Sequence, residues 1–245
     1  MKRLLVSLVV VAALAAPATA LANGVVLKVQ RANHLVAVTR PGLKVSLVHT
    51  SAASRLHVGQ RVALTARTLR NGTLASSAIR VVGRARTVRF RGLLLAKSRS
   101  RLVLSAGGAV IAVGNPRLAN TSPPTGSTVD VTATVGDNDD LDETAVNVVS
   151  ADAPGGAIEG KLTLGTGKIT VVSEHMALVL NVPTGFDLSK FANGDEVLAQ
   201  FTQGADGTLT LTTLSGDENA QRADEGDDNG DDNGDDDGGD GGGDH

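Results

Sequence analysis

Residues 59–82 read GQRVALTARTLRNGTLASSAIRVV, and two features of this stretch decide the fold. Val62, Leu64 and Ala66 share one face and Arg61, Thr65 and Arg67 the other, the period of two that a half-buried strand requires. Asn71-Gly72 then supplies a dipeptide whose residues tolerate positive φ, so the strand returns on itself as a hairpin. A ribbon with one apolar face must belong to a sheet that curls or closes to hide its edges.

The same punctuation recurs twice. Gly59-Gln-Arg-Val62 is matched by Gly126-Ser-Thr-Val129 and Gly194-Asp-Glu-Val197, and Asn71-Gly72-Thr73-Leu74 by Asp139-Asp140-Leu141 and Asp206-Gly207-Thr208-Leu209. Upstream of each set, Gly24, Gly92 and Gly160 stand 68 residues apart, each opening an apolar run, and Leu35-Val36, Leu102-Val103 and Ile169-Thr170-Val171 follow. Four landmarks in three copies define a tandem repeat. Val129, Val131, Ala133 and Val135, and then Val197, Ala199 and Phe201, repeat the alternation. Each unit yields about five short strands with a non-strand segment after the third, at His49 to Leu56, Asn115 to Pro124 and Phe186 to Ala192. In the last of these Asp187 can cap a single helical turn over Leu188 to Phe191. The expected fold class is therefore all-β, three tandem OB-like antiparallel barrels, in preference to a sandwich of paired units. The units fall at 21–83, 84–152 and 153–216, between a leader at 1–20 and an acidic tail at 217–245.

The glycine-led first strand, the mid-unit L-x-x-G-x-x-V and the N/D-G-x-L hairpin resemble the bacterial domain of unknown function 5666. The likeness spans roughly residues 24 to 215, with Thr125 replacing a large apolar residue before Gly126 and no glycine in the Asp139-Asp140 turn. The resemblance implies exported tandem small β-barrels, often beside acidic or glycine-rich tails, and it carries no catalytic residues across.

The leader itself, MKRLLVSLVVVAALAAPATA, has Lys2 and Arg3, an apolar run from Leu4 to Ala16 and a small-x-small close at Ala18-Thr19-Ala20. That is the pattern of a secretory signal peptide cleaved after Ala20, or alternatively after Ala22. The apolar run is shorter than the about 20 residues of a membrane span. A secreted or otherwise extracytoplasmic bacterial protein with no membrane span after cleavage is expected. The chain has no cysteine, which excludes disulfides, thiol nucleophiles and thiolate zinc sites. Its only aromatics are Phe90, Phe186, Phe191 and Phe201, so the cores must be built from Val, Leu, Ile and Ala.

Charge divides the chain. Residues 21–129 carry 17 Lys or Arg and no acid; 130–216 carry 13 acids and three lysines; 217–245 carry 13 acids and Arg222. The net charge of −3 conceals this asymmetry. The densest basic run holds Arg84, Arg86, Arg89, Arg91, Lys97, Arg99 and Arg101, a candidate polyanion-binding site because guanidinium groups take phosphate and carboxylate bidentately. A solvated basic face is the competing reading. Specific nucleic-acid binding is disfavoured, since base stacking needs aromatics and only Phe90 lies nearby. The Asp/Gly tail has nothing apolar to bury and should solvate the chain, compete for the basic units, or drive self-association through opposite charge. Asp227, Asn229, Asp235 and Asp237 resemble the first half of a calcium loop but lack its closing glutamate, so at most a weak Ca²⁺ site and no other cofactor is expected.

No enzymatic motif emerges. Gly160 to Thr170 fails as a phosphate loop, because Leu162 and Ile169 stand where Gly and Ser/Thr are needed, and reads as a strand-to-strand turn. His34, His49, His57, His175 and His245 lack zinc-helix spacing, and no nucleophile elbow is present. The expectation is a non-enzymatic envelope or extracellular binding or structural module. Two alternatives accompany it: a polyanion-binding protein with its tail as competitor, and an envelope-glycan hydrolase.

Overall fold

The computed structural model of the chain describes residues 20–114, 123–150, 155–174, 176–204 and 206–216. They form fifteen strands in three closed five-stranded barrels, with no α-helix among the described residues. Barrel 1 holds β1 Ala20–Gln30, β2 Leu35–Thr39, β3 Val45–His49, β4 Gln60–Thr68 and β5 Leu74–Arg84. Barrel 2 holds β6 Thr87–Lys97, β7 Arg101–Ala106, β8 Ala109–Gly114, β9 Thr128–Val135 and β10 Leu141–Ser150. Barrel 3 holds β11 Gly156–Gly165, β12 Lys168–Ser173, β13 Met176–Asn181, β14 Glu196–Gln203 and β15 Leu209–Gly216. Around each barrel the first strand neighbours the second, the second the third, the third the fifth, the fifth the fourth, and the fourth the first. This is the OB-like order, with a parallel contact closing each barrel between third and fifth strands.

The repeat landmarks explain the closure. Gly24, Gly92 and Gly160 pair with Val62, Val129 and Val197, the valines of the three Gly-x-x-Val motifs. At each glycine the first strand passes close over the second, and a Cβ would meet a carbonyl oxygen of Thr39, Ser105 or Val172. The motif glycines Gly59, Gly126 and Gly194 all have positive φ, and each donates its N–H to a carbonyl two residues beyond the first-strand glycine, at Val26, Leu94 and Leu162. Each motif glycine thus bonds the first strand just past its glycine, and the barrel is pinned where its first and fourth strands meet.

Asn71 and Asp206 shape identical hairpin turns. Each side chain accepts from the backbone N–H and the hydroxyl of the threonine two residues on, with Gly72 and Gly207 at positive φ. Gly165 to Lys168 is the β11–β12 turn expected of it. The helical turn expected at Leu188 to Phe191 is not formed. Asp187 does accept from Ser189 N–H, but the segment stays a bare turn closed by Phe191 N–H on Leu188. The helical piece appears instead in barrel 1, a 3₁₀ turn at Ser51–Arg55 capped by Thr50. Its Ala52 and Ala53 plug the barrel against Val26, Val62 and Leu64.

The barrels pack against one another. Leu35, Ala37, Val45 and Leu47, on the outer face of barrel 1, join the core of barrel 2, while Leu93, Val103 and Val110 of barrel 2 join that of barrel 3. The β7–β8 turn sits at the junction: Gly108 accepts from Glu159 N–H, and a Cβ on it would meet Leu47 of barrel 1 and Leu198 of barrel 3 at 2.9 and 2.7 Å. Ser105 Oγ donates to the Ala157 carbonyl beside it.

Candidate functional site

The sequence-predicted basic run does not form one cluster. Arg89 and Arg91 do face outward from β6 while Val88 and Phe90 face the core, as the alternation requires. Arg84 and Arg86 lie before β6, whereas Lys97 ends it and Arg99 and Arg101 follow. The eleven residues of β6, a contour of at most about 35 Å, lie between the two groups. Arg91 is also engaged, its Nε and second guanidinium nitrogen donating to the two oxygens of Asp130 at 2.6 and 3.0 Å. These bonds hold the Asp130 carboxyl below its ordinary range and raise the guanidinium further. Lys97 Nζ donates to the Pro123 carbonyl at 2.8 Å. Phe90 is fully buried and offers no stacking surface.

A groove lies on barrel 1. It encloses about 1050 Å³ and draws its lining from the start of β1, the 3₁₀ turn, β4 and β5. Arg55, Arg61 and Arg80 enter it, all three exposed, and no carboxylate lines it among the described residues. None of the three is ion-paired among the described residues. Arg84, from the predicted run, pairs with Gln60 and so lies on the face of the ladder opposite Arg61. Asn23, Val25, Ala63, Ile79 and Val82 supply a mixed apolar and amide floor.

The sequence reading missed Arg55, Arg61 and Arg80 as a group. The Asn71-Gly72 hairpin register pairs Ala66 with Ser76, and continued without interruption would set Arg80 opposite inward-facing Val62. A bulge at Ser77 shifts the register by one, so Arg80 lies opposite Ala63 and turns outward.

A second cleft of about 500 Å³ opens where the three barrels meet, and ions of both signs line it. Lys28 of barrel 1, 8 % exposed, approaches Glu174 of barrel 3 at 3.2 Å, and Asp139 of barrel 2 lies 3.9 Å from Arg31. These pairs join barrels. Among the described residues no group of His, Asp and Glu has metal-binding geometry. The calcium candidates Asp227, Asn229, Asp235 and Asp237, and the tail itself, lie outside the described residues, as do His175 and His245. Among the described residues no helix is long and apolar enough to cross a membrane.

No family model matches the sequence, and no curated protein does. The resemblance to domain of unknown function 5666 therefore stands on its motif residues alone. Among solved structures, the chain is similar to a Drosophila Unr CSD456 structure at 14% identity and a TM-score of 0.24, covering 82% of this chain and 99% of that one. It is also similar to a multidomain protein with nucleic acid binding domains from Streptococcus pneumoniae, at 13% identity and a TM-score of 0.23, covering 83% and 78%. At these scores neither likeness bears on what this chain binds, and the OB-like order rests on its own strand pairing.

Proposed function

We propose that this chain is an exported, non-enzymatic β-barrel repeat protein of the cell envelope or extracellular space, and that it holds a polyanion in the arginine groove of barrel 1. The observation that carries the reading is a groove with three arginines that have no ion-pair partner and no carboxylate beside them among the described residues. Guanidinium groups left without internal partners keep their bidentate capacity for phosphate, sulfate or carboxylate. No aromatic lines the groove among the described residues, which favours a backbone-type polyanion over stacked bases.

Export is supported by the leader, and the strand map is compatible with it. Cleavage after Ala20 leaves Leu21 to Val25 paired with Thr65 to Arg61, whereas cleavage after Ala22 removes two further residues from that ladder. The tail follows β15 and brings a charge of −12, so it acts as an internal competitor for the groove.

The test is binding of the secreted chain to polyphosphate and heparin across a salt series, with R55E, R61E and R80E beside R89E and R91E. Steep loss of affinity with salt, abolished by the groove variants and little changed by R91E, is expected. Deletion of residues 217–245 should tighten that binding. Equal retention by the groove variants would remove the groove, and no binding at low salt would leave a scaffold.

A further inference from the structure

The groove contains an unfinished sheet edge. β5 pairs with β3 only at Val48–Leu74 and His49–Ala75, and from Ser76 to Arg84 it is hydrogen-bonded to β4 alone. Past His49 the chain leaves the line of β3 and enters the 3₁₀ turn, so among the described residues no strand pairs with β5 on that side beyond Ala75. Ser77 to Arg80 and Val82 line the groove together with Thr50 to Ala52 and Arg55 of that turn. Alternate backbone N–H and C=O groups of β5 therefore face an open slot. Two bulges, at Ser77 and Val82, bracket a regular stretch from Ala78 to Val81. Val81 and Val82 are half-exposed at 46% and 49%.

The fifth strands of the other barrels have similarly short closures, one residue pair each at Asp142–Gly114 and Asn181–Thr210. In barrel 1 the open edge is set among Arg55, Arg61 and Arg80, in a groove with no acid among its described lining residues. An unpaired edge is a template for another strand, and cations beside it select the sequence that is accepted.

We infer that the groove's occupant is an acidic polypeptide in extended conformation, which adds as a strand along Ala78 to Val81 and sets its carboxylates on Arg55, Arg61 and Arg80. This rests on the polyanion reading of the groove and narrows it from charge alone to charge with backbone pairing. A strand presents its side chains alternately to two sides, so the fitting sequence alternates Asp or Glu with Val, Ile or Thr. The chain's own Asp/Gly tail has the charge but lacks these strand-forming residues, so it competes without pairing.

The experiment titrates the full secreted chain with three probes: a short peptide alternating glutamate with valine and threonine, the same peptide N-methylated at alternate backbone amides, and polyphosphate. The unmodified peptide is expected to bind on the order of tenfold or more tighter than its N-methylated form, whose charges are unchanged. It should also slow amide exchange at alternate residues of 78–82, which polyphosphate leaves unprotected. Equal affinity of the two peptides, or polyphosphate binding without peptide binding, overturns strand addition and leaves the polyanion reading intact. Failure of every probe at low salt overturns both.

Discussion

Asp139 of barrel 2 stands 2.9 Å from His57 of barrel 1, its carboxylate accepting from Nδ1, and it does so from a left-handed backbone at φ 62°. In barrels 1 and 3 the same turn position is Gly72 and Gly207. What reads in the sequence as a broken repeat is the place where one barrel holds another. Aspartate tolerates the left-handed conformation better than most residues, and its carboxylate gains a partner that glycine could not offer.

Asp139→Gly and Asp139→Asn should therefore unfold in urea within about 1 kcal/mol of the parent, since an exposed ion pair is worth only about 0.2–1 kcal/mol. Asp139→Leu should fall roughly 1–2 kcal/mol lower, because a branched side chain is strained at that φ. A leucine variant as stable as the glycine variant would show that the turn does not hold this conformation in solution.

Gly108 is where the three barrels converge, so its replacement should act on the coupling between them. A side chain there collides with Leu47 and Leu198 from the two flanking barrels, at a φ of 93° that disfavours any Cβ. Overpacking costs about 1–3 kcal/mol and is concentrated at the contacts that couple the barrels. Gly108→Val should split one cooperative calorimetric transition into separate steps and enlarge the particle in solution scattering. A single unshifted transition would mean that the barrels do not depend on this contact.

The architecture was legible because the repeat is written in glycines and turn dipeptides whose backbone demands are local. The site was not. Every fifth strand carries a bulge, at Ser77, Thr144 and Thr212, immediately after the positions where Ser76, Glu143 and Leu211 pair inward. Serine and threonine do not announce a bulge as glycine can, so an even alternation carried past Ser77 turns Arg80 to the wrong face. The basic run is spread out for another reason. Contiguity in sequence became distance along β6, and Asp130, the first acid of the chain, neutralises Arg91 from the neighbouring strand.

Barrel 2 contains two carboxyls with opposite pH consequences. Asp130 is held below its ordinary range by Arg91, so its contribution is present above the normal aspartate pKa and is lost as pH falls through the depressed value. Glu143 is 3% exposed and its Oε2 has no hydrogen-bond partner among the described residues; burial raises its pKa. Its contribution is complete below the ordinary glutamate value and declines as pH rises through the raised one. Asp130→Asn should flatten the acid limb of the stability profile, and Glu143→Gln the decline toward neutral pH. Glu143→Leu should stabilise the neutral protein by roughly 1–3 kcal/mol, since Leu211 fills the equivalent place in barrel 3. Loss of stability in that variant would mean that the carboxyl has a partner in solution.

The first-strand glycines offer a graded test of why the repeat keeps them. At Gly24 and Gly160 a methyl group would overlap the carbonyl oxygens of Thr39 and Val172, backbone atoms that can retreat only if the second strand moves. At Gly92 the Ser105 oxygen stands 2.9 Å away, so a smaller shift suffices. Gly72 has open space around it, and alanine there meets only the left-handed cost of its φ of 85°. Alanine should cost about 3 kcal/mol or more at Gly24 and Gly160, and roughly 1–2 kcal/mol at Gly92. About 1 kcal/mol is expected at Gly72. Urea midpoints in that order would tie the glycine spacing to the crossing of first and second strands. Equal losses at all four would show instead that glycine serves only to loosen the backbone, and that the barrels close without this contact.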